Sequence, residues 1–208
     1  MTRTSRSKPI AKPQRSKIFE MVAIGCSAGG LDALRTILKA LPADFSLPVI
    51  VVAHTPPDNS YLLPSLLGAV CKLPVSEARE REPALTGHVY VAPPNYHLLI
   101  EQHRHFALSV DDRVCYVRPA IDVLFAAAAD VYGEFLAGVV LTGANSDGAE
   151  GIKAIKRRGG LTLVQDPKEA YADTMPQAAI DTGAVDQVLP LAALAERICG
   201  LSSNRPKL

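Results

Sequence analysis

The sequence predicts an α/β fold: a doubly wound, mostly parallel sheet with a small antiparallel hairpin insertion. Three observations carry that expectation. From Ile18 onward the hydrophobic period alternates regularly between strand and helix, the pattern of successive βαβ units. Glycine-rich turns follow two of the most apolar strand candidates, where the βα loops of a parallel sheet fall. Finally, 208 residues at 48% hydrophobic and 21% charged suffice for one sizeable core. No apolar run approaches the roughly 18 residues needed to span a bilayer.

Taken in order, residues 19–24 are an apolar run too short for a helix and read as a buried strand, with a turn at 25–30. Residues 31–41 place Leu31, Leu34, Leu38 and Leu41 on one helical stripe, closed by Pro42. A second strand at 49–53 leads into a polar, proline-rich loop at 54–60 and a helix near 61–70. The stretch 75–109 reads as short strands (89–92, 98–100, 106–109) around Pro93-Pro94-Asn95, hence a hairpin-like insertion. Then come a helix at 121–132, a strongly apolar strand at 135–141, a turn at 142–148 and a helix at 149–158 that Gly159-Gly160 stops. A strand at 161–164, a helix at 175–181, a strand near 185–189 and a helix at 191–199 complete a Rossmann-like layout without internal repeat.

The net charge of +1 conceals a split. Arg3, Arg6, Lys8, Lys12, Arg15 and Lys17 are six of the 22 basic residues, so residues 18–208 keep 16 against 21 acidic ones. An acidic body argues against nucleic acid as a partner. Residues 1–17 read as a basic flexible tail, 18–201 as the domain and 202–208 as a short C-terminal tail. Glu20 interrupts the only N-terminal apolar stretch, and Pro9 and Pro13 spoil an amphipathic leader, so a cytoplasmic protein that is not membrane-inserted is expected. Cys26, Cys71, Cys115 and Cys199 lie far apart without a C-x-x-C pair. Reduced thiols, mostly in the core, are expected, with neither disulfide framework nor zinc site.

In open parallel sheets the chemistry sits beyond the carboxyl ends of the strands. Three segments there carry a Ser, a His and an Asp. Gly25-Cys26-Ser27-Ala28-Gly29 fits G-x-S-x-G, in which a sharp strand-to-helix turn exposes a hydroxyl beside free helix N–H groups. The same turn also suits a phosphate or plain helix capping. His54 ends the second strand, a rigid place for a general base or for a packed imidazole. Asp147 precedes a helix, where it either caps that helix or orients a histidine. Cys26 reads as a core residue and His88 and His97 as packing or surface residues. His103 and His105 share a strand face without further ligands to make a metal site.

The stretches Ala23-Ile24-Gly25-Cys26-Ser27-Ala28-Gly29-Gly30, Val52-Ala53-His54-Thr55-Pro56-Pro57, Gly87-His88-Val89-Tyr90-Val91-Ala92-Pro93, Arg118-Pro119-Ala120-Ile121-Asp122-Val123-Leu124-Phe125, Val139 to Gly143, Asp147-Gly148-Ala149 and Met175-Pro176 occur in one order and spacing. Through them, residues 20–201 resemble the catalytic domain of the chemotaxis protein-glutamate methylesterases (CheB type). The resemblance implies a triad of Ser27, His54 and Asp147 that hydrolyses glutamate γ-methyl esters on the cytoplasmic helices of methylated chemoreceptors, with glutamine deamidation as a companion activity. It implies a site lined by Ala28, Gly29, Gly30, Ala144 and Met175, with Arg118 toward substrate, and neither metal nor organic cofactor. The chain departs from the family at Ala28, where a Thr is usual, and across Thr142-Gly143-Ala144-Asn145-Ser146-Asp147, where Thr-Gly-Met-Gly-x-Asp is usual. Seventeen residues before the domain cannot hold the receiver domain many members carry, so a regulator acting in trans is expected. A scaffold module that kept the fold, or a hydrolase of another small ester, are the alternatives.

Overall fold

A computed structural model describes residues 18–54 and 62–202. The chain runs through β1 (Met21–Cys26), α1 (Gly30–Ala40), β2 (Val49–Ala53), α2 (Leu63–Gly68), β3 (Val75–Glu77), β4 (Val89–Val91), β5 (His97–Ile100), β6 (Phe106–Ser109), α3 (Ile121–Tyr132), β7 (Leu136–Val140), α4 (Ala149–Arg157), β8 (Leu161–Gln165), α5 (Thr174–Asp181), β9 (Gln187–Leu189) and α6 (Leu191–Ser202). Seven strands form one sheet in the order β3-β4-β2-β1-β7-β8-β9, parallel at every pairing. β1 and β7 are buried along their whole length, as strands covered on both faces must be. Strand order reverses at β1, with β2 on one side and β7 on the other, so the crevice at a topological switch point opens beyond the β1 carboxyl end.

Side-chain alternation sorts the apolar residues into two cores. Val22, Ile24 and Cys26 join Leu34, Ile37, Leu38 and Ile198 beneath α1 and α6. Met21 and Ala23 face the other way, with Ile50, Val52, Phe125, Ile152 and Ile155 beneath α3 and α4. Continuing that alternation one residue past each strand puts Ser27 and His54 on the α3 face. Gly25 lies between: a Cβ there would sit 2.4 Å from Ile121 Cγ2, so only glycine lets the α3 N-terminus come down on the end of β1.

The fold class is the expected one, with β2 and α3 at the expected residues, and the middle of the chain corrects the reading in one respect. Only β5 and β6 form an antiparallel hairpin, buried against α3 through Leu98, Ile100 and Phe106. β4, and β3 which the pattern did not reveal, instead extend the parallel sheet to its edge. Three-residue strands carry too little periodicity to show which sheet they join. Three further expectations change. Only Cys26 is in the core, the other thiols being half-buried. His103 lies in the β5–β6 turn rather than on a strand, its carbonyl 2.9 Å from His105 Nδ1. α6 runs on through Ser202, into the segment read as a tail. The basic residues 1–17, and residues 55–61, which include most of the expected proline-rich loop, lie outside the described residues. No helix among the described residues is long and apolar enough to cross a membrane.

Candidate active site

Cys26 and Ala53 are the last registered pair between β1 and β2, and His54 N–H donates to Cys26 O at 3.0 Å. Ser27 and His54 therefore stand side by side on adjacent strands, whose spacing is about 4.8 Å. Among the described residues Ser27 forms no hydrogen bond to His54. The turn after Ser27 is closed by Gly30 N–H to Ser27 O at 2.8 Å, and Gly29 takes φ +76° as the N-cap of α1. A side chain at position 29 would be strained in that conformation and would collide with Tyr171, whose Cβ lies 2.4 Å from the position of a Cβ. The tight turn leaves Ala28 N–H and Gly29 N–H without a backbone acceptor among the described residues. Both stand at the positive end of α1.

His54 and Asp147 are 93 residues apart in sequence and in contact in the fold, Nε2 to Oδ2 at 2.9 Å. Asp147 is fully buried. Its Oδ2 also accepts Ile121 N–H at 2.6 Å and its Oδ1 accepts Asp122 N–H at 2.9 Å, so it caps α3 rather than the helix that follows it in sequence. A carboxylate that only accepts requires a proton of the His54 ring on Nε2, so the neutral ring carries its lone pair on Nδ1. Asn145 agrees with this tautomer. Its Oδ1 accepts Asp147 N–H at 3.1 Å, which turns its Nδ2 donor toward His54 Nδ1 at 3.4 Å.

Thr142 knots the rim together. Its hydroxyl donates to Ala28 O at 2.8 Å and accepts Ala172 N–H at 2.9 Å, and its carbonyl accepts Ser27 N–H at 2.9 Å. Met175 is buried against Gly143, where a Cβ would lie 2.6 Å from its methyl, and so supports the rim from beneath. Ala144 is exposed on that rim. Arg118 lines a cleft of about 160 Å³ with His54, Leu63, Asn95, Arg113 and Tyr116. Its Nη1 holds the carbonyls of Val110 and Asp111, and its buried Nε has no partner among the described residues. Thr142, Asn145 and Asp122 escaped the sequence reading of the site. Signals for two of them were present: Asn145 stands two residues before Asp147, the spacing of an Asx turn, and Asp122 falls in the first turn of a legible helix.

Cys115, Asp122 and Asp147 bring ligand atoms within 4.8 Å of one another. Their carboxylates are taken up by four backbone N–H groups and His54, so the group is built as a hydrogen-bond centre rather than a metal cage. Burial, reinforced by the charges of Asp147 and Glu150 and opposed by the Gly151 and Gly148 N–H donors, raises the Asp122 carboxyl to about 6 from 3.8. Between those values the folded state holds a proton that the unfolded state has released, so this group lowers stability as pH rises from about 4 to about 6 and adds nothing further above. Asp122→Asn keeps an acceptor and does not titrate. In urea unfolding its stability relative to the parent rises between pH 4 and pH 7; parallel curves for the two proteins would remove Asp122 as the titrating group.

The parallel α/β fold brings Ser27, His54 and Asp147 to one rim of the sheet, and the proteins that the chain matches are carboxylic ester hydrolases. The CheB methylesterase family matches residues 22–198, and the chain belongs to that family. A Leptospira interrogans relative is 47% identical over 186 residues, 89% of this chain and 96% of its own. A Trichodesmium erythraeum relative, named protein-glutamate methylesterase/protein-glutamine glutaminase, is 40% identical over 86% of this chain and 52% of its own length. The catalytic domain of Thermotoga maritima CheB methylesterase superposes with a TM-score of 0.85 at 34% identity, covering 88% of this chain and 98% of that one.

Proposed function

We propose that this chain is a protein-glutamate methylesterase that demethylates glutamate γ-methyl esters on the cytoplasmic helices of chemoreceptors, with Ser27, His54 and Asp147 as its catalytic residues. The observation that carries the reading is the 2.9 Å contact between His54 and Asp147, which puts the ring proton on Nε2 and leaves Nδ1, where Asn145 Nδ2 donates at 3.4 Å, as the basic nitrogen of the ring. Ser27 Oγ attacks the ester carbonyl while His54 Nδ1 takes its proton; that proton passes to the departing methoxide, releasing methanol, and His54 then activates water against the acyl-Ser27 ester. Asp147 holds the ring and stabilises the imidazolium formed in transit. The Ala28 and Gly29 N–H groups at the head of α1 are the oxyanion donors best placed by the turn, with Gly30 completing its curve and Ala144 facing the bound ester from the opposite rim. Arg118 and its cleft receive the polypeptide that carries the ester.

On a glutamine side chain the same sequence releases ammonia in place of methanol, a second activity supported by the names of the relatives. A cytoplasmic location follows from the substrate, whose modified helices lie there. The test is methanol release from membranes bearing methylated chemoreceptors. The expected result is release by the parent chain at a rate proportional to protein concentration; membranes that keep all their methyl groups would send the search to other esters.

A further inference from the structure

We propose that Asp122 is a positioning residue for this reaction, holding the Asp147 carboxylate on His54 through a closed ring of hydrogen bonds between the first turns of α3 and α4. The inference rests on the assignment of Asp147 as the partner of the His54 base. Neither helix is capped by its own N-cap residue, Ala120 for α3 and Gly148 for α4. Each is capped by an aspartate belonging to the other. Asp147, just before α4, accepts Ile121 and Asp122 N–H at the head of α3. Asp122, in the first turn of α3, accepts Gly148 N–H at 2.9 Å and Gly151 N–H at 2.7 Å at the head of α4. Residue 122 thus binds residue 147 through its backbone and residue 148 through its side chain. Asp147 cannot swing away from His54 without opening that ring.

The arrangement does more than anchor a loop. With φ +101° at Gly148, and Ile121 Cγ2 3.1 Å from the position of a Cβ there, the chain between Asp147 and α4 has no side chain of its own to fix its course. The Asp122 carboxylate supplies the missing acceptors. It is also a second acid behind Asp147, and its charge counts. Facing it are Asp147 and Glu150 from the α4 side, Lys153 tied to Glu150 at 2.7 Å, Cys115 from the segment before α3, Asp181 from α5, and His54 beyond Asp147. As pH rises through about 6, Asp122 becomes charged, and a further negative group near Asp147 favours the positive ring that His54 becomes during proton transfer.

A residue acting through Asp147 changes kcat and leaves KM alone, since it touches no substrate. The experiment compares methanol release by the full chain and by Ser27→Ala, Asp122→Ala and Asp122→Asn, on receptor membranes, across pH 5 to 8. Ser27→Ala is expected to be inactive. Asp122→Ala is expected to lose about 10²-fold in kcat, the scale of a displaced catalytic group, with KM unchanged. Asp122→Asn, whose amide oxygen still accepts Gly148 and Gly151 N–H, is expected to recover most of that loss while the acid limb of its kcat profile becomes shallower. Should Asp122→Ala not fold, the acid limb of Asp122→Asn decides alone. Parental kcat in Asp122→Ala, a KM effect without a kcat effect, or an unaltered acid limb in Asp122→Asn, each with Ser27→Ala inactive, overturns the role of Asp122 and leaves the methylesterase reading standing. Full activity in Ser27→Ala overturns both.

Discussion

Ser27→Ala is expected to lower ester hydrolysis by about 10⁴-fold or more while the protein stays folded. The size follows from the chemistry. Without the hydroxyl no acyl-enzyme forms, and what remains is water activated by His54 near the N–H groups of the α1 turn. The preserved fold follows from how Ser27 is held. Its N–H donates to Thr142 O at 2.9 Å and its C=O accepts Gly30 N–H at 2.8 Å, and alanine keeps both bonds. Gly29 keeps its left-handed conformation and Cys26 its place in the core, so the turn keeps its shape. Methanol release and thermal unfolding, measured on the same preparation, separate the two effects. Activity near that of the parent would exclude Ser27 as the nucleophile; a large fall in melting temperature would mean that the hydroxyl serves the turn.

What the sequence revealed of this site and what it hid divide along a physical line. Periods of 3.6 and 2 are local, so α3, with its uninterrupted apolar run, and β2, bounded by Pro48 and the proline-rich loop, are legible residue by residue. That Ser27 and His54 fall at strand ends is legible for the same reason. The partner of each polar group is not, because it is decided by which helix N-terminus lies over which strand end. Asp147 carries the sequence signature of a cap for α4, yet spends its oxygens on α3 and His54. Asp122 carries the signature of an acidic residue in the first turn of α3, yet caps α4. Each local signature is right about the chemistry, a carboxylate at a helix N-terminus, and silent about which helix receives it. The exchange becomes visible only when Gly25 lets Ile121 descend onto β1 and brings the two helix heads together. β4 is legible as a strand but not as a member of the parallel sheet, and the three-residue edge strand β3 is not legible at all, because so short a run carries neither a clear period nor a sign of its neighbour.

Asp147→Asn, by the same geometry, is far from conservative. The Asp147 carboxylate accepts three hydrogen bonds and donates none: Ile121 N–H and His54 Nε2–H on Oδ2, Asp122 N–H on Oδ1. An asparagine offers one acceptor oxygen, and its NH₂ must face at least one of those donors. With the amide oxygen in the Oδ2 position, the ring keeps its tautomer, but Asp122 N–H is buried against another donor and the charge that stabilised the imidazolium is gone. With the amide reversed, Nε2 must become an acceptor, the ring proton moves to Nδ1, and the base no longer presents a lone pair to Ser27. Either orientation strands a backbone N–H that the fold keeps from water, at a cost of about 1–3 kcal/mol. The expected outcome is therefore double: kcat for methanol release falls by about 10⁴-fold, as when an orienting carboxylate is replaced by its amide, and the urea midpoint at pH 7 falls with it. Retained kcat would remove Asp147 from the reaction. An unchanged midpoint would mean that the two backbone N–H bonds to Asp147 do not hold α3 to the β7–α4 loop.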